Sequence, residues 1–167
     1  NIILPENLKK LSDSAFEGCA NLKSIVIPDN TTDIGNYIFK NCSSLKSVKM
    51  PDNRENITRE MFSGCSSLKT IELPSSVTKI RQYAFYGCTS LESVTFKNGK
   101  SALKEIESQA FYGCTALREA VLPETVKTIG SYAFQNSTSL EKVYIPQSVK
   151  TVGRGACMGC TALSDLK

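Results

Sequence analysis

Histidine and tryptophan are both absent from this chain of 167 residues. Without histidine there is no Ser-His or Cys-His nucleophile pair, no His-ligated metal and no histidine proton shuttle. No apolar run approaches the ~18 residues that a membrane-spanning helix needs. Neither charge sign dominates: 20 Lys+Arg against 16 Asp+Glu leave +4, too mild without a localised patch to point to nucleic acid. Glycine-rich phosphate loops of the G-x-G-x-x-G kind are missing as well. What remains is 41% apolar and 22% charged, the composition of a folded chain of about one domain.

The dominant positive feature is a repeat. Phe16, Phe39, Phe62 and Phe85 stand 23 residues apart, as do Phe111, Phe134 and Cys157. The step from Phe85 to Phe111 is 26, so one unit carries a three-residue insertion. Three positions after each anchor come Cys19, Cys42, Cys65, Cys88, Cys114, Ser137 and Cys160, and three further on a leucine, from Leu22 to Leu163. A unit read from Leu68 has the pattern L-x-x-I-x-L-P-x-x-V-x-x-I-x-x-x-A-F-x-G-C-x-x.

Within that unit Ile71 and Leu73 alternate with Thr70 and Glu72, the period of a strand with one buried face. The proline that follows (Pro28, Pro51, Pro74, Pro123, Pro146) cannot donate to a ladder and marks the strand's end. Val77 and Ile80 then turn inward, and the A-F-x-G-C block closes the coil in a tight 3₁₀ or short helical turn. Gly18, Gly64, Gly87, Gly113 and Gly159 share their column with Asn41 and Asn136, the two residue types that best tolerate a positive φ. One such coil cannot bury its own apolar side chains. Stacked coils can, which predicts a solenoid.

The L-x-x-I-x-L strand resembles a leucine-rich repeat. The L-P ending, the openings Ile34–Gly35, Ile129–Gly130 and Val152–Gly153, and the A-F-x-G-C-x-x-L block are similar to the BspA-like class, found in surface proteins of host-associated bacteria and some protozoa. The likeness covers the whole chain. The fold expected is of the α/β repeat class, mostly β and turn: a right-handed leucine-rich-repeat solenoid with one parallel sheet and short 3₁₀ or helical turns. Residues 1–167 are expected to form a single solenoid of about seven coils, starting at one strand (Asn1) and stopping inside another (Lys167), as a fragment of a longer array.

Seven cysteines suggest disulfides or metal, but six form one column facing a stacked core. Parallel Cβ vectors at ~4.8 Å spacing resist the ~3.8 Å approach a disulfide requires, so the column reads as reduced packing, and Ser137 replaces one member without disturbing the phase. Cys157-Met158-Gly159-Cys160 is a C-x-x-C, but a zinc site needs a second pair, and none exists. Carboxylates are scattered over repeat positions with no cleft to pair them. No catalytic group, metal or cofactor is expected.

The exposed strand positions are the candidate protein-binding face: Lys23, Lys46, Lys49, Lys69, Thr70, Glu72, Thr95, Glu119, Lys142 and Tyr144. Lys23, Lys46, Lys49 and Lys69 make a basic patch toward one end, which reads first as a solvated surface and second as a contact for an anionic partner. Tyr37, Tyr83 and Tyr132, two before the anchor, and Tyr86 and Tyr112, one after it, are either displayed for contact or packed into the turn.

These readings converge on a non-catalytic binding module. The family resemblance implies adhesion, a host or cell-surface protein such as a matrix glycoprotein as ligand, and a secreted or cell-surface location. No nucleic acid and no membrane insertion are expected. The alternative is a structural spacer or stalk that self-associates end to end and has no ligand of its own.

Overall fold

A computed structural model describes the chain over residues 2–166, with side chains described through Ser164. The expectations for Asn1 and Lys167 lie outside these residues.

The chain winds as a right-handed parallel solenoid. The L-x-x-I-x-L segments form β2 (Ser24–Val26), β4 (Ser47–Lys49), β6 (Thr70–Leu73), β8 (Ser93–Phe96), β10 (Glu119–Val121), β12 (Lys142–Tyr144) and β14 (Asp165–Leu166). Their register is in phase with the repeat: Ile25 lies beside Val48, Ile71 beside Val94 and Ala120 beside Val143.

One expectation needs correcting. In place of one parallel sheet, a second set of parallel strands runs along the solenoid where Val77 and Ile80 turn inward. It comprises β1 (Lys10–Leu11), β3 (Asp33–Ile34), β5 (Asn56–Ile57), β7 (Lys79–Ile80), β9 (Glu105–Ile106), β11 (Thr128–Ile129) and β13 (Thr151–Val152). Strands β5 to β13 form one five-stranded sheet, and β1 pairs with β3. Each is two residues long, too short to carry a readable alternation. The strand face in turn is not one sheet but three: β2–β4, β6–β8 and β10–β12–β14.

The A-F-x-G-C block is a run of i→i+3 turns. Its amide groups alternate: those of Tyr37, Phe39 and Asn41 donate to the carbonyls of Arg59, Met61 and Ser63 in the next coil, whereas those of Lys40 and Cys42 donate back to Tyr37 and Phe39. Satisfying both sets needs two left-handed residues per coil. One is the Gly/Asn column, from Gly18 (φ 73) and Asn41 (φ 61) to Gly159 (φ 76). The other falls two before each anchor, on Ser14, Tyr37, Glu60, Tyr83, Gln109, Tyr132 and Gly155, with φ between 52 and 61. The 3₁₀ helix itself, Lys97–Gly99, lies in the insertion, with Asn98 left-handed at φ 57.

The core is a set of columns. Phe16, Phe39, Phe62, Phe85, Phe111 and Phe134 stack ring on ring, 5.1 to 5.8 Å between centroids and within 15° of parallel. Beside them the Cys42, Cys65, Cys88, Cys114 and Cys160 thiols each donate to a phenylalanine carbonyl of the coil before, at 3.0 to 3.2 Å. Ser137 makes the same bond to Phe111 at 3.0 Å. The seven cysteines are unpaired. In the valine column Thr31 is buried and bonds the Leu8 carbonyl, while half-buried Arg54 turns its Nε to the Asn56 carbonyl.

Candidate binding surface

Strand β6 sends Ile71 and Leu73 inward and presents Thr70 and Glu72 to solvent, and Ile25, Ala120 and Val143 face inward at the position of Ile71 in β2, β10 and β12. All ten candidate residues are exposed: Lys23, Lys46, Lys49, Lys69, Thr70, Glu72, Thr95, Glu119, Lys142 and Tyr144. The breaks between sheets divide them into three groups. Lys23, Lys46 and Lys49 stand together at β2–β4, with Lys49 beside Val26. Lys69, Thr70, Glu72 and Thr95 stand at β6–β8, with Glu72 beside Thr95 and Lys69 3.7 Å from Glu92. Glu119 lies opposite Lys142, and Tyr144 opposite Val121, at β10–β12.

Two residues outside the candidate set belong to the same surface. Val121 is 67% exposed and Val26 56%, and both occupy the outward column of Lys49, Glu72, Thr95 and Tyr144. Their position was legible in the repeat; their apolar character on an exposed column was the signal. A further feature is an apolar crevice between β8 and β10, lined among others by Val94, Phe96, Ala120 and Leu122.

On the second strand face Lys10 pairs with Asp33 at 2.8 Å, Lys79 with Glu105 at 2.9 Å and Arg81 with Glu107 at 3.1 Å, each bridging neighbouring coils, while Lys104, Lys127 and Lys150, which precede β9, β11 and β13, are exposed and have no ion pair among the described residues. On the turn face the tyrosines are both packed and partly shown. Tyr86 stacks on Tyr112 at 4.7 Å and meets Tyr83 edge to face at 5.7 Å. Tyr112 Oη accepts from the Asn136 amide at 2.9 Å, and Arg59 lies 5.9 Å from the Tyr83 centroid. Tyr37, Tyr83, Tyr112 and Tyr132 are half-buried, and Tyr86 is exposed.

The chemistry of the thiols is set by burial. Burial pushes Cys42 up to about 11 and holds Cys65, Cys88 and Cys114 higher still. Cys157 is the exception: its interaction with the Cys160 thiol holds it below the usual thiol range, against the opposing effect of burial. No group of three or more His, Cys, Asp or Glu side chains is placed to hold a metal among the described residues.

Relatives of known structure share this architecture. A leucine-rich repeat protein from Bacteroides ovatus is 33% identical with a TM-score of 0.90, over 99% of this chain and 42% of its own. The leucine-rich repeat protein of T. pallidum is 32% identical with a TM-score of 0.84, over 94% of this chain and 72% of its own. The pneumococcal vaccine antigen PcpA, at 20% identity and a TM-score of 0.64 over 96% of this chain and 42% of its own, shares the fold. The chain thus spans less than half the length of the Bacteroides protein. No curated protein sequence matches it. Leucine-rich repeat solenoids are non-catalytic scaffolds that generally act as protein-binding modules. The model of the BspA type leucine rich repeat region matches residues 1–101 and 98–167 in six copies, and with the Phe, Cys and Leu columns in place along the coils the chain belongs to that family.

Proposed function

We propose that this solenoid is the protein-binding and adhesion module of a secreted or cell-surface protein, and that the strand face carries the contact. In this reading the 167 residues are one domain of a longer array, and the ligand is a host or cell-surface protein.

The observation that carries the reading is the make-up of the strand face's outward column. Val26, Val121 and Tyr144 are exposed in it, and Lys23, Lys46, Lys49, Glu72 and Glu119 stand beside them without an ion pair among the described residues. Uncommitted charge around exposed aliphatic and aromatic groups is the make-up of a contact surface.

Binding to immobilised fibronectin and fibrinogen at two salt concentrations tests it, with a quadruple substitution Lys49→Ala, Glu72→Ala, Thr95→Ala and Tyr144→Ala as control. Saturable binding that the substitution abolishes supports adhesion through this face. A folded, monodisperse chain that binds neither moves the reading to a spacer, and concentration-dependent oligomers without ligand identify a self-associating stalk.

A further inference from the structure

Three irregularities meet at one point of the strand face. Successive strands β8 and β10 belong to different sheets, so the edges they turn toward each other have no ladder between them. The three inserted residues lie in the connection that follows β8, between Lys97 and Leu103. The inward column filled by Ile25, Val48, Ile71, Val94 and Val143 narrows to alanine at Ala120. Together they open an apolar crevice lined by Val94, Phe96, Leu103, Ala120 and Leu122 and reaching down to Phe134. Val94, Phe96 and Leu122 are half-buried, as Val48 and Ile145 are elsewhere on this face, where Ile25, Ile27, Ile71 and Leu73 are buried.

The interruption between β4 and β6 is treated differently. There Lys97 reaches back to Asp52 and the ion pair spans the opening. No ion pair bridges β8 and β10 on this face among the described residues.

We propose that the crevice is an anchor pocket of the binding face, taking one apolar side chain from an extended segment of a protein partner. The inference rests on the protein-binding reading above and names its central contact. Two features define the occupant. The facing edges of β8 and β10 carry backbone donors and acceptors outside any ladder, which a polypeptide backbone matches and a purely apolar ligand does not. The crevice also carries a charge: Glu119 lines it and has no ion pair among the described residues. A segment running parallel to the strands therefore fits best with a basic residue first and the apolar anchor next.

The test is titration with a fluorescein-labelled nonapeptide of alternating threonines that carries lysine at its amino end and leucine at its centre. A second peptide has serine for leucine. The protein is used as wild type, as Ala120→Val, which fills the crevice with the residue type of Val94 and Val143, and as Glu119→Lys. The expected result is saturable binding to wild type. The serine peptide and Ala120→Val each weaken it about tenfold or more, the scale of burying one aliphatic side chain. Glu119→Lys weakens it less, and peptide slows amide exchange in Ser93–Phe96 and Glu119–Val121. An unchanged Tm of Ala120→Val separates a filled crevice from a damaged fold.

Equal binding of both peptides, or exchange that peptide leaves unaltered, overturns the proposal. So does a concentration-dependent dimer lost in Ala120→Val, which makes the occupant a second copy. Glycoprotein binding indifferent to Ala120→Val refutes the anchor while leaving the strand-face reading intact. Absence of any glycoprotein binding fails that reading, while the peptide titration still decides the crevice.

Discussion

The thiol of Cys88 donates to the carbonyl oxygen of Phe62, 26 residues earlier in the chain, at 3.0 Å. The same carbonyl already accepts the amide of Cys65 at 3.0 Å, so both of its lone pairs are used. The cysteine column is therefore more than a small apolar filler: it completes the hydrogen bonding of the turn beside the phenylalanine stack. Ser137 stands in that column because a hydroxyl does the same work. Cys88→Ser is expected to cost less than about 1 kcal/mol, and Cys88→Ala about 2 kcal/mol, since alanine removes the donor and leaves a small void. Urea unfolding of the two variants beside wild type measures the difference.

Reactivity of the thiols should split sharply. Alkylation by iodoacetamide is expected to label Cys157 at a lower pH than an ordinary thiol, while Cys42, Cys65, Cys88 and Cys114 stay unlabelled until the chain unfolds. Because the folded value of Cys157 is depressed below 9.0, its contribution to stability is full above that value and fades as the pH falls through the lowered folded value. Cys160→Ala removes the thiol that holds the Cys157 thiolate, so the labelling midpoint should move upward. Mass spectrometry of the labelled peptides across pH 5–10 reads all of these outcomes.

Gln109 holds a left-handed backbone at φ 56, a conformation that Gly155 adopts in the same column. Glycine relieves the strain of a side chain there, about 1 kcal/mol, against a smaller cost from the greater entropy it gives the unfolded chain. Gln109→Gly is expected to raise stability by about 0.5 kcal/mol, seen as an increase in Tm.

Glycines of this chain should respond unequally to alanine. A Cβ at Gly130 would sit 2.5 Å from the Glu107 carbonyl carbon and 2.5 Å from the Ser108 nitrogen, both backbone atoms of the preceding coil. Gly130→Ala is expected to cost about 3 kcal/mol, by forcing two coils apart. At Gly87, where φ is +67 and nothing lies within 4 Å, alanine meets only backbone strain and should cost about 1 kcal/mol. Thermal unfolding of the pair distinguishes a steric clash from a conformational penalty.

Much of this architecture is legible in the chain because each buried position touches its own counterpart one coil away. Phe62 must suit Phe39 and Phe85, so the column repeats and can be read. The second ladder was hidden because Lys79–Ile80 spans two residues, less than one full alternation. The left-handed column was hidden for a different reason. Ser14, Tyr37, Glu60 and Gln109 share no chemistry, and their conformation is imposed by amides bonding forward, as Tyr37 does to Arg59. On the binding surface the outward columns were readable residue by residue. Their division into three groups was not, since a missing ladder leaves no mark in the exposed residues; Ala120 and the insertion beside it were the only trace.

The turn face and the second strand face run unbroken past the insertion, with the amide of Phe85 bonding the carbonyl of Ala110 and Ile80 lying beside Ile106. The strand face alone is interrupted there. Mechanically, the continuous faces act as a stiff spine, and the interrupted one is the compliant side of a beam. Flexure of the solenoid at β8 and β10 thus opens on the strand face, where a small change in curvature widens or narrows the surface turned toward a partner while the stacked rings behind it keep their order.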